Sequence, residues 1–160
     1  MNSINDLCYV ISGGTPRTSV TEYWNGDIPW VSIKDFPSSS RYITSTEKTI
    51  TSSGLNHSAA YILQSQDIII SARGTVGETK MVSKPMAFNQ SCFGLRTKNP
   101  KILNQLYLFY WLSSHSHEIQ SGTHGSVFDT ITRSDFDRLI INVPSLSFQQ
   151  HIVGVTSSPQ

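Results

Sequence analysis

Cysteine and charge are both scarce in this 160-residue chain. Its two cysteines, Cys8 and Cys92, are too few and too far apart to staple a small extracellular scaffold. They read as small buried hydrophobes in a reducing compartment. Charged residues make up 14% of the chain and hydrophobic ones 38%, with a net charge of +1. That balance excludes a self-repelling disordered chain and provides for one ordinary domain with a core. No apolar run reaches bilayer length, and no basic-then-apolar leader opens the chain. The expectation is a cytoplasmic protein without membrane attachment.

The signatures of common chemistries are missing as well. There is no Gly-x-x-x-x-Gly-Lys-Ser/Thr phosphate loop, no Gly-x-Gly-x-x-Gly dinucleotide turn and no Gly-x-Ser-x-Gly nucleophile elbow. No Cys or His pair has zinc-site spacing. His115 and His117 stand two apart, which on a helix points them to different sides. An adenine methyltransferase would carry Asn-Pro-Pro-aromatic, but Asn99-Pro100 is followed by Lys101.

What is present is patterned. Arg73, Lys80, Lys84, Arg96, Lys98 and Lys101 face one acid, Glu78, between residues 73 and 101. A chain of small total charge can therefore still present a basic face. Gly13-Gly14-Thr15-Pro16 marks a turn in an irregular opening segment. Strands are predicted over Ile28–Lys34, Asp67–Arg73, Val76–Val82, Ser91–Thr97 and Leu139–Val143, with the second and third forming a hairpin around residues 74–77. The Ser/Thr-rich stretch 36–56 reads as a long loop with a short strand near Ile43, and long loops in compact domains are often functional. One long helix is predicted over 102–120, apolar over most of its circumference. Thr132 with Asp135 resembles a capping box that opens a short helix, and Ser147 is placed to cap a final one. The fold class is α+β, strand-rich in the middle, with one long buried helix.

One enzyme-like constellation survives. Asp67 at a strand start, followed by Glu78-x-Lys80 on the next strand, is the skeleton of many Mg²⁺-dependent nucleases, in which two carboxylates hold the metal and the lysine polarises water or phosphate. The alternative is an exposed polar pair on a hairpin, and the residues alone leave both readings open.

The ordered motifs resemble one target-recognition domain of the DNA specificity subunits of type I restriction–modification enzymes. The resemblance runs through Ile11–Pro16 (ISGGTP), Glu22–Trp30 (EYWNGDIPW), Val31–Asp35 (VSIKD), Ser71–Gly77 (SARGTVG), Asn89–Cys92 (NQSC), Gly122–Phe128 (GTHGSVF) and Pro144–Ile152 (PSLSFQQHI). It implies a binding module without its own catalytic site or cofactor, reading one half of a bipartite double-stranded DNA target. The S-adenosylmethionine, ATP and Mg²⁺ belong to partner methyltransferase and restriction subunits, which methylate adenine and cleave DNA. Such subunits usually carry two recognition domains separated by long helices. This chain reads as a single domain, residues 1–146, followed by the start of a conserved helix at 147–160. It is expected to be half-length or truncated, and a homodimer of halves is one way to read a palindromic split site.

On that reading, phosphates are met by cations and by backbone N–H groups in glycine turns. The expected DNA-binding residues are Gly14, Thr15 and Arg17 in the first turn, Lys34 and Arg41 around the long loop, and Arg73, Gly74 and Thr75 in the hairpin turn. Lys80 and Lys84 extend the basic stretch, and Thr123, His124 and Ser126 lie in the second glycine loop. Base edges would be read by Ser38–Arg41 and Asn56–Ser58. Tyr23, Trp24 and Trp30 read as core packing around Pro29.

Overall fold

A computed structural model describes residues 1–121 and 130–157. Its centre is an isoleucine run, Ile68-Ile69-Ile70, fully buried on both faces. A strand that alternated polar and apolar would need a wet face; this one has none, as expected of a strand sandwiched between two layers. It forms β6 (Ile68–Ser71), the middle of a five-stranded sheet. On one side of it lie β9 (Cys92–Thr97) and then β2 (Cys8–Ser12), and on the other β7 (Thr79–Val82) and then β4 (Tyr42–Ile43). All neighbours are antiparallel except β7 and β4, which run parallel.

The period-2 geometry of β6 sends Ile68 and Ile70 to one face and Ile69 to the other. Ile68 and Ile70 join Val10, Met81 and Leu95 beneath Leu108, Phe109 and Leu112 of α3 (Gln105–Ser114). Ile69 joins Ile43 and Val82 against Val31, Leu63, Met86 and Phe88. That second layer belongs to a three-stranded sheet in which β3 (Trp24–Val31) lies between β5 (Lys48–Ile50) and β8 (Ala87–Phe88). Trp30, Ile50 and Ala87 form a satellite core there, and Trp24 packs edge-on to Trp30. The tryptophans are thus packing groups, and the Trp30 indole N–H is satisfied by the Gly14 carbonyl at 3.0 Å.

Several boundaries differ from the sequence expectation for identifiable reasons. β2 was hidden in a segment read as irregular, because Gly13-Gly14 dominates the local signal; pairing with β9 along its whole length makes it a strand. β3 starts at Trp24, with a bulge that sets both Trp24 and Ile28 opposite Ile50 and Asn25 at φ 63°. It ends at Val31, since Asp35 closes a 3₁₀ turn over Ile33–Asp35 by accepting from the Ser32 N–H. The hairpin loop spans residues 72–78 rather than 74–77, with Gly74 and Gly77 at positive φ, and Val76 is buried from the loop. The expected long helix is two helices. Asn104 caps α3 through the Tyr107 N–H at 2.9 Å, and the first helix stops at His115, whose ring stacks on Trp111. Ser113 and Ser114 bond back to the Phe109 and Trp111 carbonyls, the local competition that weakens helix continuation. α4 (Ser116–Ser121) then resumes.

Short elements close the domain. α1 (Ile4–Leu7) is held by a Ser3–Asp6 capping box, and α2 (Ser52–Asn56) is capped by Thr51. β1 (Asn2–Ser3) pairs with β10 (Ile140–Ile141), and α5 (Asp135–Arg138) precedes β10. Of these, α1, α2 and β1 are absent from the sequence reading, whereas the expected short helix is found as α5 and the expected strand 139–143 is cut to the two residues of β10. Asp135 accepts from the Thr132 N–H at 2.6 Å, the half of the capping box that the sequence suggested. Burial alone would raise the Asp135 pKa, but hydrogen bonds from Thr132 and Arg138 outweigh it and hold the carboxyl below its ordinary value. In α6 (Leu146–Ser157) the cap is Ser145, accepting from the Phe148 N–H, and not Ser147. Gln149 of α6 is fully buried. Its Oε1 accepts from the Asn104 N–H at 2.8 Å, and its Nε2 donates to the Ile102 and Pro144 carbonyls at 2.8 and 2.9 Å. No helix among the described residues is long and apolar enough to cross a membrane.

Candidate nucleic-acid interface

The strand registers gather some of the expected residues at one end of the five-stranded sheet. β2 leaves at Ser12, β9 enters beside Ser71, and β7 starts where β6 ends. β4 runs parallel to β7, so the chain enters it from this same end, through residues 38–41. The Gly13–Thr15 turn, the Arg73–Thr75 turn and the Ser38–Arg41 loop therefore share one end of the sheet. Residues 130–132 join them, the Ile131 N–H donating to the Ala72 carbonyl at 2.9 Å. Arg73, Gly74 and Thr130–Thr132 line one open pocket there.

Within this end the side chains do different work. Arg73 is exposed beside Gly74, whose φ of 73° lets the chain reverse with open space where a Cβ would be. Ser71 anchors the turn, its hydroxyl donating to the Thr75 carbonyl and accepting the Glu78 N–H. Gly14 is buried, and a Cβ there would lie 2.6 Å from the Ala59–Ala60 backbone. Its N–H donates to the Phe88 carbonyl at 3.1 Å, so the glycine serves close backbone packing and its amide is already used. The Thr15 hydroxyl donates to Gln90. Arg17 is exposed, with its carbonyl accepting from the Trp24 indole at 3.2 Å.

Arg41 points inward. It donates to the Tyr110 hydroxyl at 2.6 Å, and its guanidinium carbon lies 5.1 Å from the Tyr42 ring centre. Lys80 donates to the Ser40 carbonyl at 2.8 Å. Arg41 thus ties the 38–41 loop to α3 and Lys80 ties it to β7. Lys34 is exposed in the 3₁₀ turn after β3. Lys84 is exposed too, but follows β7 at the opposite end of the sheet from Arg73. The basic stretch 73–101 is thus divided between two ends and does not make one face. Ser58 lies with residues 59–61 along the β2 edge, four strands from β4 and so roughly 19 Å from it. Thr123, His124 and Ser126 lie outside the described residues.

The nuclease alternative does not assemble. Asp67 stands opposite Val82 and Glu78 opposite Ser71, so four residues of β-strand, roughly 13 Å, separate the two carboxylates. Asp67 is also committed elsewhere. Its side chain is 5% exposed and receives Arg96 Nε at 2.8 Å, Arg96 Nη2 at 2.6 Å and the Gln64 N–H at 2.7 Å. Lys80 is spent on Ser40.

Two arrangements escaped the sequence reading, the placement of Arg133 at this sheet end and the pairing of Asp67 with Arg96 at the other. Arg133 donates to the Val10 carbonyl and, at 2.6 Å, to the Ser12 hydroxyl, covering the outer edge of β2 at the same sheet end as Arg73. The Asp67–Arg96 pair fixes a guanidinium on the opposite end, and the Asp67 hydrogen bonds raise the arginine pKa further. The only signal in the sequence was charge, because 123 residues separate Arg133 from Val10.

The chain matches the family model of the type I restriction modification DNA specificity domain over residues 1–157. It is 28% identical over 158 residues to the specificity subunit of the type I restriction enzyme MjaIX of Methanocaldococcus jannaschii, covering 98% of this chain and 37% of that subunit. It is 27% identical over 154 residues to the EcoprrI specificity subunit of Escherichia coli, covering 90% of this chain and 38% of that subunit. The chain thus spans a little over a third of the length of these curated relatives. The HsdS subunit from Thermoanaerobacter tengcongensis shares the fold with a TM-score of 0.71 at 20% identity, over 98% of this chain and 35% of that one. The type I S subunit from M. genitalium does so with a TM-score of 0.66 at 15% identity, over 98% and 37%. The chain belongs to the type I restriction–modification DNA specificity domain family.

Proposed function

We propose that this chain reads one half of a bipartite double-stranded DNA target and directs catalytic subunits to it, without chemistry of its own. The observation that carries this is the family match over residues 1–157 on an α+β fold shared with specificity subunits. The sheet end supports it from below. Arg73 stands exposed on a glycine turn, Thr15 and Gln90 are beside it, and the Ser38–Ser40 loop is held in place by Arg41 and Lys80. Exposed cations and turn amides suit phosphate contact, and a polar loop held at the same end suits base edges. Arg17 and Lys34 add exposed charge, while Lys84 contributes from the far end. Thr123, His124 and Ser126 stay in the reading as residues of the second glycine loop.

The partners in this reading are methyltransferase and restriction subunits, which bring S-adenosylmethionine, ATP and Mg²⁺; the chain itself holds no cofactor, and the setting is the cytoplasm. In this reading α6 is the helix on which such subunits, or a second copy of this half, would dock. The test exchanges Ser38, Ser39 and Ser40 for the residues of another family member, keeping Arg41, Ile43 and Ile50 as structural supports, in complex with methyltransferase subunits. The methylated sequence is expected to change. An unchanged sequence places base reading elsewhere, and a complex that methylates no defined sequence refutes the function.

A further inference from the structure

An open groove of about 700 Å³ runs along β2, away from the sheet end described above. Tyr9, Tyr61, Arg96, Lys98 and Arg133 line it, and none of its lining residues is acidic. The carboxylates bonded to its lining residues are both engaged, Asp67 by Arg96 and Asp137 by Asn5 at 2.7 Å. Tyr9 and Tyr61 stay 53% and 44% exposed, so the groove leaves aromatic surface in water beside three cations. Arg96 spends its Nε and Nη2 on Asp67 and is also hydrogen-bonded to Tyr61, which locks the guanidinium plane and fixes a positive charge on the groove wall. Lys98 is exposed, 5.7 Å from the Tyr9 ring centre. An added β-strand is disfavoured here, because Arg133 occupies the Val10 carbonyl on the outer edge of β2.

We propose that this groove seats the sugar–phosphate backbone of duplex DNA, with Lys98 and Arg133 on phosphates and the fixed charge of Arg96 between them. The assignment rests on the DNA-reading function and extends it to a second track that the sequence motifs do not mark. Arg133 lies at the Ser12 end of β2 and Arg96 and Lys98 at the Cys8 end, so the track is roughly 13 Å long. An open basic channel with its cations pre-positioned suits a polyanion read by charge, not by base edge.

The experiment measures binding of the whole chain to a labelled duplex by anisotropy between about 50 and 200 mM salt. Lys98→Gln is expected to reduce the slope of log K against log salt by about 0.9, which is roughly eightfold weaker binding at about 0.1 M. Lys98→Glu is expected to lose more, and Lys98→Arg to restore the wild-type slope, which a folding defect would not do. Lys101→Gln removes the same charge from an exposed position outside the groove and is expected to leave the slope alone. Wild-type slopes in both Lys98→Gln and Lys98→Glu overturn the groove while leaving the DNA-reading function standing. An equal loss in Lys101→Gln also overturns it, since overall charge would then suffice. If Lys98→Gln abolishes binding of polyglutamate but leaves the duplex slope unchanged, the groove takes an acidic protein and the proposal fails. A wild-type chain that binds no duplex at any salt refutes both.

Discussion

Replacing Arg96 by methionine tests whether the buried Asp67 depends on its partner. Asp67 is 3% exposed and carries three hydrogen bonds, two of them from Arg96. Arg96→Met keeps most of the apolar stem but leaves a carboxylate with the Gln64 N–H as its remaining donor among those described. Breaking a buried ion pair from one side costs about 3–5 kcal/mol. The Arg96 side chain is itself 30% exposed, so water can follow into the vacated space from the groove. That places the expected loss at the low end, about 3 kcal/mol. For a chain of this size it lowers the melting temperature by roughly 6–12 °C. Urea unfolding followed by tryptophan fluorescence reads it directly. Adding Asp67→Asn removes the stranded charge yet keeps an acceptor for Gln64, so the double variant is expected to recover part of the loss. An Arg96→Met variant within about 0.5 kcal/mol of wild type would refute the reasoning, as would a double variant no more stable than the single.

Gln149→Leu is expected to cost about 3 kcal/mol, because the Asn104 N–H and the Ile102 and Pro144 carbonyls all lose a buried partner; urea unfolding measures it, and a neutral result would mean α6 docks without this clamp. Gly14→Ala forces a Cβ to 2.6 Å from backbone and is expected to destabilise by about 1–3 kcal/mol, whereas Gly74→Ala meets no atom and carries backbone strain of about 1 kcal/mol. Equal losses at the two glycines would contradict the packing argument. Burial pushes the Cys8 and Cys92 thiols from 9.0 up to about 12, so neither should react with a thiol reagent at pH 8 until the chain unfolds. The folded pKa lies above the unfolded one, so this contribution to stability is complete below about pH 9 and is lost as the pH rises towards 12. Unfolding midpoints measured across alkaline pH check the sign.

Much of the sheet was legible in the sequence because its strands carry local signatures. Ile68-Ile69-Ile70 announces a strand buried on both faces, Gly74 and Gly77 mark the reversal after it, and the ordered motifs from Ile11 to Ile152 pointed to the family. β2 was not legible, since five residues ending in a Gly-Gly turn become a strand only through pairing with β9, more than 80 residues later. The break at His115 was missed for a related reason: the apolar pattern continues past it, and stacking on Trp111 with back-bonding serines decides where the helix stops.

Residue type and order by themselves determined the α+β class, the buried centre and the kinship with DNA specificity domains. The tertiary structure alone decided what each charge does. Arg41 and Lys80, both expected on DNA, are turned to hold a loop. Asp67 and Glu78, spaced like metal ligands in sequence, are set roughly 13 Å apart by strand register. Arg133 reaches across 123 residues to the β2 edge. Hydrophobic periodicity is written locally, one or two turns or strand steps at a time. The partner of a charged side chain is whichever group the pairing of distant strands brings beside it.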